Sequence, residues 1–344
     1  MPAIPSLVER VLIRAGILPA FISDIAAAAA FRAFSAGERL GVFEILRGGP
    51  RTAAELAEKI GADAGMLAAV CDLLAETGYL ARDGDRYRNG PVTERWILSG
   101  RGLPDFARHW VGLVFDHWDA LEDAVRSGRP SPHLAQYLDG TGRWPIFNAA
   151  MAELASRSAD EIARAVRLPD GARRLVDVGG SHALNAIAFC RRHPHLQATI
   201  LDLPQALWAA RERIAADRFT SRIEVRAADV TREPLGGPYD AALLFQLLHY
   251  FPREQNASLL ARVRDALTPG GLVVILDQTG VPPTPLARAF LAAIRVAYRT
   301  GLGGDLYAYD EIAGWLRGAG FEEIRRRGVR SAPGNSIITA VKAR

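Results

Sequence analysis

Two hydrophobic periodicities divide the chain. Up to about residue 165, apolar positions recur at helical spacing; from Leu175 onward, short apolar runs alternate with amphipathic stretches. The second pattern predicts a parallel α/β sheet with covering helices. In the first half, 30–46 reads as one helix stopped by Gly48, Gly49 and Pro50. Thr52 stands three positions before Glu55, a capping box opening a short helix through Ile60. Gly61 turns the chain, and Asp63 caps a second helix reaching Thr77, with Met66, Leu67, Val70, Leu73 and Leu74 expected on one face. Two short strands around Asp83-Gly84 follow. Helix, turn, helix, hairpin is the order of a winged helix. Residues 105–165 read as mainly helical, broken at 127–133 and 139–144, a segment placed where it can close the mouth of the following domain. The expected division is thus a helical winged-helix domain over 1–104, a helical linker and acceptor-pocket region over 105–165, and an α/β domain over 166–344.

Composition narrows the class. With 49% apolar and 23% charged residues, the 344-residue chain has the makeup of a globular protein with a large core. Its two cysteines, Cys71 and Cys190, have neither disulfide-scaffold nor zinc spacing, so no metal is expected and a reducing, cytoplasmic setting is. No apolar run approaches the roughly 20 residues of a membrane span.

The winged helix raises the question of DNA. Residues 51–100 hold six Lys/Arg against eight Asp/Glu, and the helix after Asp63 has no basic residue to present to bases or phosphates. The net charge of +4 equals the excess in 321–344 alone, six basic against two acidic, centred on Arg325, Arg326 and Arg327. That run reads as a solvated face beside a strand, and the N-terminal module as one for packing and dimerisation rather than nucleic acid.

The candidate chemistry gathers at the ends of the predicted strands. Gly179 and Gly180 follow the strand at 175–178 and precede a helix, where a ligand can approach the backbone and meet free N–H groups. Asp202 ends the next strand about 20 residues on, where ribose hydroxyls would lie, and Asp229 ends the third. This favours a nucleoside-like ligand, while the turn sequence GGSHAL lacks a full dinucleotide fingerprint.

The motifs VDVGG (176–180), LDLP (201–204), AADV (227–230), LLHYF (247–251) and LTPGGLVVILD (267–277), with FNAAM (147–151), occur in one order. In that order the chain resembles the class I S-adenosylmethionine-dependent small-molecule O-methyltransferases, related to caffeic acid and hydroxyindole enzymes, over roughly 25–342. The resemblance implies a Rossmann-like domain, mostly parallel with an antiparallel last strand, behind a winged-helix dimerisation domain. It also implies S-adenosylmethionine as cofactor and a homodimer. Gly179 and Gly180 would meet the methionine part, Asp202 with Leu203 the ribose, and Asp229 with Val230 the adenine. His249 falls at the general base and Asp277 at the group orienting it. His117, Trp144, Phe147 and Met151 are candidates for the acceptor pocket.

Three departures from the family pattern stand out: Ser181 and Ala183 in the glycine turn, His-Tyr-Phe at 249–251, and GGDLYAYD where a second orienting carboxylate near 306 is usual. A sulfonium methyl is already activated, so the protein must align the acceptor and remove its proton. An imidazole titrating near pH 6.5 suits the second task. The expected function is methyl transfer to a hydroxyl of a small aromatic or polyketide-like metabolite. Three alternatives remain: C-, N- or S-methylation by proximity alone, non-methylating chemistry around the bound cofactor, and a winged-helix ligand-sensing regulator.

Overall fold

A computed structural model describes residues 6–130, 132–281 and 284–344. The chain forms two compact units, Met1–Gly112 and Leu113–Arg344, the division falling within helix Pro104–Phe115.

The first unit contains the expected winged-helix order. Helix Ala53–Ile60 starts with the Thr52/Glu55 capping box and ends at Gly61, whose positive φ closes it. Helix Ala64–Glu76 is capped by Asp63, which accepts from the Met66 N–H at 2.8 Å. Strands β1 (Arg51–Thr52), β2 (Leu80–Asp83) and β3 (Arg86–Asn89) form an antiparallel sheet in the order β1-β3-β2.

Two expectations are corrected here. The stretch 30–46 is not one helix: Phe21–Arg39 ends, the chain turns at Gly41 in the left-handed region, and a short helix Val42–Ile45 follows. Gly41 was itself the stop signal, since it takes that conformation without a Cβ penalty. Met66 is 74% exposed, because the packed stripe is Leu67, Cys71 and Leu74, spaced four and three apart.

Helix Leu7–Arg14 buries none of its residues, and Leu7, Val8, Val11, Ile17, Phe21, Ile22 and Ile25 all lie open to solvent. Among the described residues, no helix is long and apolar enough to cross a membrane.

The second unit is built on a seven-stranded sheet. Its strands are β4 (Arg174–Val178), β5 (Gln197–Asp202), β6 (Ile223–Ala227), β7 (Tyr239–Phe245), β8 (Leu267–Gln278), β9 (Phe321–Gly328) and β10 (Asn335–Lys342). Their order is β6-β5-β4-β7-β8-β10-β9, parallel from β6 to β8, with β10 antiparallel to both of its neighbours. This is the expected Rossmann-like class with an antiparallel last strand.

Alternate residues of the central strands enter opposite cores. Leu175, Ala241 and Leu243 pack on one face with Phe189, while Val176, Ala242 and Leu244 pack on the other with Leu260. Both faces are covered by helices, which is why these strands read as continuous apolar runs. The sequence at 253–271 reads as a helix closed by Gly270, but the helix Arg253–Ala266 is shorter: β8 begins at Leu267, and its register with β7 shifts between Tyr239 and Ala241 as Pro269 and the glycines pass. The arginines 325–327 lie on the edge strand β9, exposed, with Arg325 paired to Glu323. Charge on an edge strand discourages strand addition.

Candidate active site

In a parallel sheet the carboxyl ends of neighbouring strands share one rim. That rim collects the glycine turn after β4, Asp202 ending β5, Asp229 beyond β6, the His249 turn after β7 and Asp277 near the end of β8. Ligands of open α/β sheets bind there because strand ends leave loops and helix N-termini facing the crevice.

The turn after β4 permits close approach. Gly179 has φ +77°, and a Cβ on it would lie 2.8 Å from Leu247 Cδ1. A Cβ on Gly180 would lie 2.6 Å from Asp177 Cγ. The backbone here is therefore bare toward the ligand side and closely backed behind. Ala183 stands at φ +64°, a left-handed position where glycine is the easier residue. The alanine departure in the turn thus carries backbone strain.

Asp202 accepts the Ser181 N–H at Oδ2 (3.0 Å) and the Leu203 N–H at Oδ1 (2.8 Å). Each oxygen has a lone pair left for a hydroxyl donor. Burial raises its carboxyl to about 6, against the lowering effect of those two N–H groups. Asp177, beneath the turn, is raised to about 7, first by burial and then by repulsion from Asp202. His182, whose Nδ1 accepts from the Leu184 N–H, is lowered to about 4 by burial and by the Arg213 guanidinium. It packs into the turn as a neutral ring.

Asp229 turns inward on its own loop. Its Oδ1 accepts from the Thr231 N–H (2.9 Å) and hydroxyl (2.6 Å), while its own N–H donates to Glu233. Val230 is buried, and Arg262 donates to its carbonyl at 2.6 Å.

His249 lies on a short 3-10 turn, Leu248–Tyr250, and is 3% exposed. Its Nδ1 is 3.0 Å from Asp277 Oδ1, which also accepts the Gln278 N–H. A carboxylate only accepts, so Nδ1 carries the proton in the neutral ring and Nε2 presents its lone pair. This is the pair that the residue types at 249 and 277 anticipated.

Several supports were not anticipated. Asn256, fully buried, donates to the carbonyls of Leu248 (2.9 Å) and Phe251 (3.0 Å), and the Tyr307 hydroxyl donates to Phe251 as well. Gly304 is pressed so closely against the His249 carbonyl that a Cβ there would overlap it. Asp305 follows. Burial by itself would raise its carboxyl, but Arg295, the Leu306 N–H and Arg299 outweigh that and hold it below the usual carboxylate range. Where the family pattern leads one to look for a second orienting acid near 306, this chain has an acid clamped by two arginines. The GGD triplet was the available signal.

The proposed acceptor residues lie on the helices before β4. Trp144 donates to Asp139 (2.7 Å) and meets Phe147 edge-on at 5.7 Å between ring centroids. Phe147 is buried and Met151 half-buried. His117 is buried, with Nε2 2.9 Å from the Pro132 carbonyl and its ring edge-on to Tyr137, while Nδ1 has no hydrogen-bond partner among the described residues.

A family profile described as "O-methyltransferase domain" matches residues 118–322, and one described as "O-methyltransferase dimerisation domain" matches residues 25–99. The chain belongs to the O-methyltransferase family. It is an S-adenosylmethionine-dependent methyltransferase. A curated relative, the 3-hydroxy-5-methyl-1-naphthoate 3-O-methyltransferase of Streptomyces sahachiroi, is 32% identical over 94% of this chain and 96% of its own length. The N,N-dimethyltransferase OxyT of Streptomyces rimosus is 27% identical over 90% and 92%. Among solved structures, an O-methyltransferase family protein from Burkholderia thailandensis superposes with a TM-score of 0.79, at 26% identity over 99% of both chains. The turn of this methyltransferase fits its cofactor on structural grounds: glycines that admit no side chain, and an acid with acceptor capacity left on both oxygens.

Proposed function

We propose that this methyltransferase alkylates a hydroxyl of a small aromatic or polyketide-like metabolite, with His249 as general base and Asp277 as the residue that orients it. The buried His249–Asp277 pair, at 3.0 Å beside the cofactor turn, carries this reading. The bound cofactor supplies an electrophilic methyl group on a sulfonium. The chain supplies position and proton management. Gly179 and Gly180 take the methionine part, Asp202 and Leu203 the ribose, and Asp229 and Val230 the adenine. Nε2 of His249 accepts the hydroxyl proton as the oxygen attacks, and Asp277 holds the resulting imidazolium in place through Nδ1–H. Leu247 connects the two halves of the site, since its methyl backs Gly179 two residues before His249.

Trp144, Phe147 and Met151 supply an aromatic and thioether wall for a flat acceptor; His117 acts from behind it. The similarity to a hydroxynaphthoate O-methyltransferase supports the acceptor class. We also assign a homodimer, since the exposed apolar row from Leu7 runs into the segment that begins to match the dimerisation domain at residue 25, and a reducing, cytoplasmic setting in keeping with two free, buried cysteines.

Incubation with methyl-labelled S-adenosylmethionine and 3-hydroxy-1-naphthoate, alongside its 3-amino analogue, tests the reaction. Label on the oxygen product is expected. Label on the amine alone would instead favour an N-directed enzyme, the chemistry named for the OxyT relative.

Cofactor binding has a pH signature. Asp202 must be ionised to accept both ribose hydroxyls, and its carboxyl lies at about 6. Affinity for S-adenosylhomocysteine is therefore expected to hold above that pH and to weaken about tenfold by pH 5. Calorimetry across pH 5–8 reads this directly, and Asp202→Asn should give weak binding with a flat profile. A wild-type profile as flat as the variant's would remove Asp202 from the ribose.

A further inference from the structure

The imidazole of His249 is held by more than Asp277. On one side the ring of Tyr298 lies parallel to it, with 4.1 Å between centroids and 4° between planes. Tyr250 meets it from another direction at 4.8 Å and 33°. Tyr298 belongs to helix Pro285–Gly301, distant in sequence from the His249 turn.

The helix is fixed against that turn. Arg295 and Arg299, three residues before Tyr298 and one after, both bind Asp305. Asp305 in turn follows Gly304, which abuts the His249 carbonyl. Tyr298 is therefore set over the imidazole by an ion-paired clamp and not by chance packing.

The planes are parallel with centroids 4.1 Å apart, an arrangement in which two neutral rings gain a modest stacking energy. It is a good arrangement for a cation over an aromatic face. The stack thus becomes stronger when His249 takes a proton.

We infer that Tyr298 is a positioning residue for the base, locking the imidazole plane so that Nε2 faces the acceptor and stabilising the imidazolium formed during transfer. This rests on the reading of His249 as the base. The ionisable groups around the ring are Asp277 on β8, Tyr250 on its own turn and Tyr298 on the helix, with the Asp305–Arg295–Arg299 cluster on the adjoining segment. Burial raises both tyrosines well above their ordinary range, so both rings stay neutral.

The test follows the His249 ring by NMR in the full chain saturated with S-adenosylhomocysteine, with ring-labelled histidine; His249→Gln assigns the resonance. In the wild type the ring protons should be shifted upfield by the overlying tyrosine. Tyr298→Phe keeps the aromatic face and should keep both this shift and the titration midpoint. Tyr298→Leu removes the face while staying apolar. It should lose the upfield shift and lower the midpoint by about half a unit. Tyr298→Met serves the same purpose if the leucine variant does not fold. An unchanged midpoint in the leucine or methionine variant, or a phenylalanine variant that behaves like them, overturns the inference. Because no turnover is measured, the result is independent of the base assignment, which the rate of His249→Gln decides separately.

Discussion

Replacing His249 by glutamine should lower methyl transfer to a phenolic acceptor by about 10²–10⁴-fold, the usual contribution of a positioned general base. S-adenosylhomocysteine affinity should change little, because the contact of this turn with Gly179 is made by Leu247 and not by the imidazole. Glutamine is close to histidine in length and can still donate to Asp277, so the turn keeps its anchor. The rate that remains reports what alignment alone achieves. Raising the pH should restore part of the lost rate, since a phenol ionised in solution no longer needs the base. The measurement is initial rate with labelled donor from pH 6 to pH 10. A variant that keeps most of its activity at pH 7 would mean that the acceptor arrives without a proton to lose, as in amine or carbon methylation, and His249 would then be a packed strand-end residue. Asp277→Asn should fall between the two, because an amide can turn its N–H toward Nδ1 and favour the wrong tautomer.

Gly304→Ala is expected to damage the enzyme almost as severely without altering any group that touches a reactant. The added methyl overlaps the His249 carbonyl oxygen, and backbone atoms lie on both sides of the conflict. Either the His249 turn or the 303–306 segment must move. The turn is tied by Asn256 and Tyr307, and the segment by Asp305 to two arginines, so neither yields without losing buried polar bonds. Overpacking of this kind costs about 1–3 kcal/mol, which lowers the melting temperature by several degrees for a unit of this size. Displacement of the imidazole by about 1 Å is enough to reduce the rate about 10²-fold. Thermal unfolding and turnover of the same sample test both parts. Wild-type stability together with a wild-type rate would show that the segment swings aside freely, and that the clamp does not hold the base.

Much of the fold was legible because its signals are local. The capping box at Thr52 and Glu55, the turn at Gly84 and the continuous apolar runs of β4, β7 and β8 each depend on residues a few positions apart. The expected helix over 30–46 was wrong for a reason equally local: Gly41 ends a helix, whereas apolar spacing alone continues across it. Met66 was misplaced because it lies in the first turn of its helix, at the margin of the apolar face centred on Leu67, Cys71 and Leu74, and apolar spacing does not show where the covering core ends. The glycine turn was readable because a left-handed Gly179 and the close backing of Gly180 leave no room for a side chain. Asp277 was readable because it ends a strand beside the one that leads to His249.

By itself, the order of residues determined the alternation of strand and helix, and with it which side chains reach the rim of the sheet. A parallel sheet places every strand end on one side, so chemistry written at those ends must converge. What only the tertiary structure decided is how His249 is held. Tyr298 and Asn256 carry no motif that points to position 249, and the GGD triplet marks its segment without showing that Gly304 abuts the His249 carbonyl; they reach it because a helix and a loop fold back over the turn. Such contacts depend on side-chain shape and on charges paired across long stretches of chain, and no periodicity along the sequence records them.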